Sequence, residues 1–425
     1  MLWPSRSRRS RPRSLGSERV AGLTRRRLLV SVGGAAGALA LGGGGYALGR
    51  EEGGGTDVVP FYGPRQAGIA TPAQDRLVFG AFDVTAGSRD ELRVLLQQWT
   101  AATALMTNGA LTGPVSDQPD APPADTGEAL GLKPANLTVT FGLGPGFFDD
   151  RFGLAARRPA SLRELAALPG DFLEPARSGG DLCVQACSDD PQVAFHAVRN
   201  LTRIGRGSAE LRWLQLGFGR TSSTTSAQST PRNLMGFKDG TNNIKSDDQA
   251  AMERSVWLGD DEPQAWLRGG TYLVARRIRM LIETWDRSSL TDQEHTFGRR
   301  KTSGAPLNGA HEHDTVDLVA RQGDGTLVIP ANAHIRLAGP GANDGRRILR
   351  RGYSYTDGID PVTGQLDAGL FFICFQRDPH TQFAELQRRL GSRDALNEYI
   401  RHTSSAVFAV PPGANHGGYI GEGLI

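Results

Sequence analysis

The sequence predicts an α+β fold of two ferredoxin-like modules packed together, and three observations carry that expectation. Short runs rich in β-branched and aromatic residues alternate with segments of helical period. Across residues 75–220 their order reads βαββαβ, the ferredoxin-like pattern. The second half repeats the theme with longer connections, although no exact internal repeat is visible.

The elements follow in order. DRLVFGAFDV (75–84) reads as a strand. RDELRVLLQQWTAATALMT (89–107) places Leu92, Leu95, Leu96 and Trp99 on one side of a helix. A polar Pro/Gly loop (113–135) leads to strands at 136–144 and 181–189. DPQVAFHAVRNLTRIGR (190–206) opens on an Asp cap followed by Pro, the start of a helix. LRWLQLGFGR (211–220) closes the first module, and the polar run TSSTTSAQST (221–230) reads as a linker. In the second module GGTYLVARRIRMLIETWDRSS (269–289) is a strand running into a helix, and 295–345 is mostly loop. GLFFICFQRD (369–378), TQFAELQRRLG (381–391) and SAVFAVPPG (405–413) give strand, helix and strand. The expected organisation is a leader at 1–50, an N-terminal domain at 51–225 and a C-terminal domain at 226–425.

Positive charge is concentrated near the N-terminus. The net charge is +3, and the arginines of residues 5–27 exceed that excess, so the remainder is mildly acidic and no nucleic-acid partner is indicated. Arg25, Arg26 and Arg27 precede LLVSVGGAAGALALGGGGYALG, a weakly apolar stretch too glycine-rich for a good membrane helix. A basic head before such a stretch has the layout of a twin-arginine export signal. The expected location is therefore periplasmic, extracellular or at the cell envelope. Three cysteines form no paired framework. Cys183 and Cys187, four residues apart on a strand, would be separated by roughly 13 Å, too far for a disulfide.

Chemistry-bearing candidates are few. His311 and His313, in HEH followed by Asp314, could chelate a metal, but they lie in a polar loop without a second ligand cluster. NLMGFKDGTNN (233–243) sets Asp239 between Gly236 and Gly240. It lacks the GxxxxGK[ST] spacing of a phosphate loop and the ligand register of a calcium loop, which leaves a plain turn or a mount for one carboxylate. His334 lies in TLVIPANAHIRLAGPG, after an expected short strand, and Arg350 and Arg351 precede an aromatic strand in RRILRRGYSY.

GFKDG, HIRL, ILRRGYSY and GLFFICFQ, in this order, resemble a dye-decolourising peroxidase of the secreted twin-arginine branch that includes the deferrochelatases. The resemblance runs from about Phe61 to the C-terminus, through GLGPGFF, DDPQVAFHAVRNL, IETWDRSSL and SGAPL. It implies a fold of the dimeric α+β barrel type, with one haem b per chain held mainly by the C-terminal module. It makes His334 the proximal iron ligand, with Glu398 in LNEYI as the carboxylate behind it. Asp239 and Arg350, rather than Arg351, fall on the distal side, as acid–base group and charge stabiliser. Gly240, Thr241 and Asn242 line the same face, the glycines letting backbone approach the porphyrin, and Phe372 walls the cavity. Arg299 is expected to pair with a propionate. Hydrogen peroxide and organic reductants are the implied substrates, with bulky dyes oxidised through aromatics such as Trp257, Trp266 or Tyr399. Two alternatives stay open: release of iron from haem, with iron-uptake components as partners, and a haem-binding protein without turnover. A homo-oligomer is also left open.

Overall fold

The computed structural model describes residues 57–115 and 119–425, so the expected leader lies outside the described residues. Ten antiparallel-paired strands and seven α-helices make up the described fold. In the first half β1 (Arg76–Val84), α1 (Arg89–Thr107), β2 (Thr138–Leu143), β3 (Leu182–Ser188), α2 (Pro191–Ile204) and β4 (Ala209–Arg220) appear in the expected order. Ser88 caps α1 by accepting from the Glu91 amide, and Asp190 caps α2 by accepting from Gln192 and Val193.

The second half contains α3 (Gln249–Ser255), β5 (Thr271–Met280), α4 (Ile282–Trp285) and α5 (Leu290–Phe297). These are followed by α6 (His334–Ala338), β6 (Leu349–Arg350), β7 (Tyr353–Ile359) and β8 (Leu366–Gln376). The chain finishes with α7 (Ala384–Arg393), β9 (Ile400–His402) and β10 (Ala406–Val410). No strand forms just ahead of His334; that stretch is turn, and His334 itself opens α6.

The strand order is β6-β8-β7-β4-β1-β3-β2-β10-β5-β9, and β8 also pairs with β5. Eight of the ten strands therefore close on themselves, with β6 and β9 as flanking additions. Closure removes the free edges that two separate sheets would leave. Period-two alternation then sorts side chains between the inside and the outside of the barrel. On β8, Phe371, Ile373 and Phe375 join Phe79, Trp213, Tyr353 and Phe408 in the interior cluster. Cys374 and the half-buried Phe372 face outward, into the layer formed with the helices. Leu370 packs outward against a separate aromatic cluster of Phe237, Trp285, Phe297 and Tyr399.

The run 221–224 is not a solvated linker. Thr221, Ser222, Ser223 and Thr224 are fully buried at the seam of the two halves. Their polar groups are satisfied there: the Thr221 amide donates to Gly352 O, Thr224 Oγ1 donates to Thr71 O, and Ser223 O accepts from Asn243 and Lys245. Small hydroxyl side chains suit such a seam because each can be paired locally. No helix among the described residues is long and apolar enough to cross a membrane.

Candidate haem and peroxide site

The site lies on the outer face of the barrel wall formed by β6 and β8. Leu349, Arg351 and Tyr353 point into the barrel, whereas Arg350 points out. Consecutive arginines on a strand must take opposite faces. Arg351 is fully buried and donates to Ile69 O, Thr71 O, Pro72 O and Gln74 Oε1, tying the N-terminal lead-in to the wall. Arg350 Nη1 instead donates to Asp239 Oδ1 at 2.8 Å, with the two side chains 26% and 14% exposed.

Asp239 is carried by a tight loop. Gly236 and Gly240 both adopt φ above +80°, a backbone region that costs a residue with Cβ. A Cβ on Gly240 would also meet the Ser222 backbone at 3.1 Å. The turn itself therefore requires these glycines, before any porphyrin is considered. The Asp239 amide donates to Pro231 O (2.9 Å), and Asn233 Nδ2 donates to Asp239 Oδ2 (3.3 Å).

Sequence reasoning missed Asn243. Asn243 Nδ2 donates to Arg350 O, and Asn243 Oδ1 accepts from the Arg350 amide, both at 2.8 Å. This two-point clasp binds the Asp239 loop to the Arg350 strand. The neighbouring Asn242, expected at the site, is exposed. Thr241 is engaged through its hydroxyl, which donates to Glu312 Oε1 at 3.0 Å.

His334 Nδ1 lies 2.5 Å from Asp394 Oδ2, and Asp394 is only 2% exposed. This corrects the expectation for Glu398, which is exposed and faces solvent. Asp394 caps the turn after α7, accepting from the Leu396 amide with its other oxygen, and that turn delivers it to the ring. Burial lowers the basicity of His334, and Asp394 more than reverses the effect, raising it above the ordinary histidine value. Asp239 and Arg350 are also close enough to act on the ring, the first raising and the second lowering its basicity. Phe297 packs edge-on against His334, with centroids 6.1 Å apart.

These residues fit a haem. Asp394 accepts the Nδ1 proton, which leaves Nε2 with its lone pair and without a hydrogen-bond partner among the described residues. Buried Phe297 packs against the ring, and half-buried Phe372 lies on the outward face of β8. Arg299 Nη1 donates to Gly304 O (2.6 Å) and Glu312 O (2.9 Å), leaving Nε and Nη2 open for an anionic group. Burial lowers the Arg299 pKa, partly offset by Glu312.

Other candidates separate from this set. His311 and His313 are exposed, and no group of three metal-ligating side chains occurs among the described residues. Trp257, Trp266 and Tyr399 are all buried, so none is a surface relay. Cys183, Cys187 and Cys374 are free and buried.

A histidine backed by a buried carboxylate, near an Asp–Arg pair on an α+β barrel, defines the class: a haem peroxidase. Comparison with known proteins gives the family. The description "Dyp-type peroxidase, N-terminal" matches residues 66–219, and "Dyp-type peroxidase, C-terminal" matches residues 230–415. The chain belongs to the Dyp-type peroxidase family. It is 38% identical to the deferrochelatase of Escherichia coli (strain K12) over 372 residues, covering 86% of this chain and 87% of that one. The crystal structure of a DyP-type peroxidase from Streptomyces coelicolor is 42% identical with a TM-score of 0.79, covering 86% of this chain and 96% of that one. Ferric DtpA from Streptomyces lividans gives the same four values.

Proposed function

We propose that this protein is an exported haem b peroxidase in which His334 is the proximal ligand, Asp239 the acid–base group and Arg350 the charge-stabilising group. The observation that carries the reading is the 2.8 Å Asp239–Arg350 pair in electrostatic reach of a histidine already oriented by Asp394. When bound, the haem iron supplies the centre at which the peroxide O–O bond is cleaved.

The chain's own residues handle the protons and charge. Incoming hydrogen peroxide loses a proton, and its outer oxygen must gain one to leave as water. One positioned carboxylate can accept and return that proton, and Asp239 is placed for both steps. Arg350 offers fixed positive charge where negative charge accumulates on oxygen. Asn243 holds its backbone, and Asp239 accepts from its guanidinium, so both ends of the side chain are positioned. Arg299, through its open nitrogens, is suited to pair with a propionate.

The reductants are phenols, dyes or similar organic donors in this reading. The twin-arginine segment at residues 24–27 supports export before residence in the periplasm, the cell envelope or the medium. A second reading is favoured by the deferrochelatase relatives: removal of iron from haem with the porphyrin left intact, in company with iron-uptake components. Both are tested on the haem-loaded protein. Peroxide with a phenolic donor should give donor oxidation at a rate that Asp239→Ala lowers by about 10²–10⁴. Accumulation of free protoporphyrin without donor oxidation would instead select the second reading.

A further inference from the structure

We propose that Glu312 is a positioning residue for Asp239, gripping its loop on both sides; the inference rests on Asp239 being the acid–base group. Glu312 is the centre of the HEH run, and its side chain is only 11% exposed although both neighbouring histidines face solvent. One carboxylate oxygen pairs with Lys238 Nζ, the residue immediately before Asp239. The other accepts from Thr241 Oγ1, two residues after it, at 3.0 Å. A single, largely buried carboxylate thus bridges the two shoulders of the catalytic carboxylate without touching it.

The surroundings are arranged to keep it there. Burial alone would raise the Glu312 carboxyl, and hydrogen bonds from Lys238, Thr230 and Thr241 hold it below the usual range. Its backbone carbonyl accepts from Arg299 Nη1, which also holds Gly304 O. A Cβ on Gly304 would lie 2.6 Å from Lys238 Cδ, so the strap must pass close over the loop at this point. Arg232 adds bonds to Gly236 O on the loop and to Lys301 O and Thr302 O on the strap, each at 2.7 Å.

The same strap continues to the proximal side. It packs a small core of Leu307, Ile329 and Ala333, then enters α6 at His334. Arg336, two residues into that helix, donates back to Leu318 O, Ile329 O and Pro330 O. Residues 299–336 therefore form one continuous piece that fixes the distal carboxylate through Glu312 and ends in the proximal histidine. A carboxylate on a glycine-framed turn needs such support, because a displacement near 1 Å can cost a reaction about 10²-fold.

The test compares Glu312→Ala, Glu312→Gln, Lys238→Met and Asp239→Ala as haem-loaded full-length proteins. Stopped flow gives the second-order rate with peroxide, and ferric EPR gives the state of the distal side at rest. Glu312→Ala should lower the peroxide rate by up to about 100-fold, the cost of misplacing a reacting group by ~1 Å. Reduction of the peroxide-oxidised enzyme by the donor, followed as a separate step, should proceed at the wild-type rate. Glu312→Gln, which still accepts from Thr241, should recover to within about threefold of wild type. Lys238→Met combined with Glu312→Ala should be no slower than Glu312→Ala alone, because both act through one bridge. The EPR of Glu312→Ala should show more than one high-spin species. A wild-type peroxide rate in Glu312→Ala, with Asp239→Ala slow, would overturn the positioning role and leave the acid–base reading standing. A wild-type rate in Asp239→Ala would overturn the reading beneath it. Loss of haem and melting temperature in Glu312→Ala, equal in Glu312→Gln and with an unchanged EPR signal, would reduce Glu312 to a structural residue.

Discussion

Replacing Asp394 by Asn changes one atom in a buried position and asks which carboxylate orients His334. In the native arrangement one oxygen accepts from the Leu396 amide at 2.9 Å and the other lies 2.5 Å from His334 Nδ1. Asparagine can keep only one of these. If its oxygen keeps the cap, its NH2 group faces Nδ1 and favours the tautomer protonated on Nε2, which cannot ligate iron. If the oxygen turns to the ring, its NH2 group meets the Leu396 amide and the cap is lost. Either way a charge-assisted bond is removed, and loss of such an outer partner typically costs 10- to 100-fold in metal affinity or activity. That corresponds to about 1.4–2.7 kcal/mol. The assay is haem transfer to excess apomyoglobin, followed by the Soret band, with a spectroelectrochemical titration of the same samples. Asp394→Asn should release haem about 10- to 100-fold faster and reduce at a higher potential, because the ring donates less electron density. Glu398→Gln, at an exposed position, should match wild type in both. The reverse pattern would refute the assignment.

Further predictions address the two arginines, the loop clasp and a buried histidine. Arg350→Leu should fold, bind haem and react with peroxide about 10²–10³-fold more slowly. Arg351→Leu should instead lower the melting temperature sharply, because it strands four acceptors at about 1–3 kcal/mol for each one left buried and unpaired, as read by calorimetry. Asn243→Ala should slow the peroxide step, as Arg350 loses both backbone contacts at 2.8 Å; stopped flow checks this. His402 is buried beside Arg276, with Gln387 as its bonding partner, and burial first and Arg276 second push its pKa down to about 3. The unfolded chain therefore binds the proton that the folded chain refuses. This stability is present above about pH 6.5 and is lost as pH falls toward 3, at a limiting ~1.4 kcal/mol per unit. Melting curves of His402→Gln should fall less steeply between pH 6 and 4 than those of wild type.

The first half of the fold was legible because each element carries its own signal. The period of Leu92, Leu95, Leu96 and Trp99 and the Asp190 cap mark helices without tertiary help. The second half was less so. β9 is three residues long, and α6 is five residues in a polar context, so neither offers a full period to read. In the site, the separation of Arg350 from Arg351 follows from strand alternation with Leu349, Tyr353 and Tyr355, a pattern present in the sequence. The choice of Asp394 over Glu398 does not follow from the sequence. Both lie near the end of α7, and only the cap geometry turns Asp394 inward. Asn243 and Glu312 were hidden for a related reason. Their roles come from contacts across 107 and 71 residues, which no local pattern encodes.

In the proposed function Asp239 handles the proton of hydrogen peroxide beside Arg350. Its most direct test is the second-order rate of the haem-loaded enzyme with peroxide, measured for Asp239→Ala and Asp239→Asn across pH. The rate should fall by about 10²–10⁴ in both variants, with haem content and the ferric spectrum showing His334 ligation retained. A wild-type rate and pH profile in Asp239→Asn would contradict it.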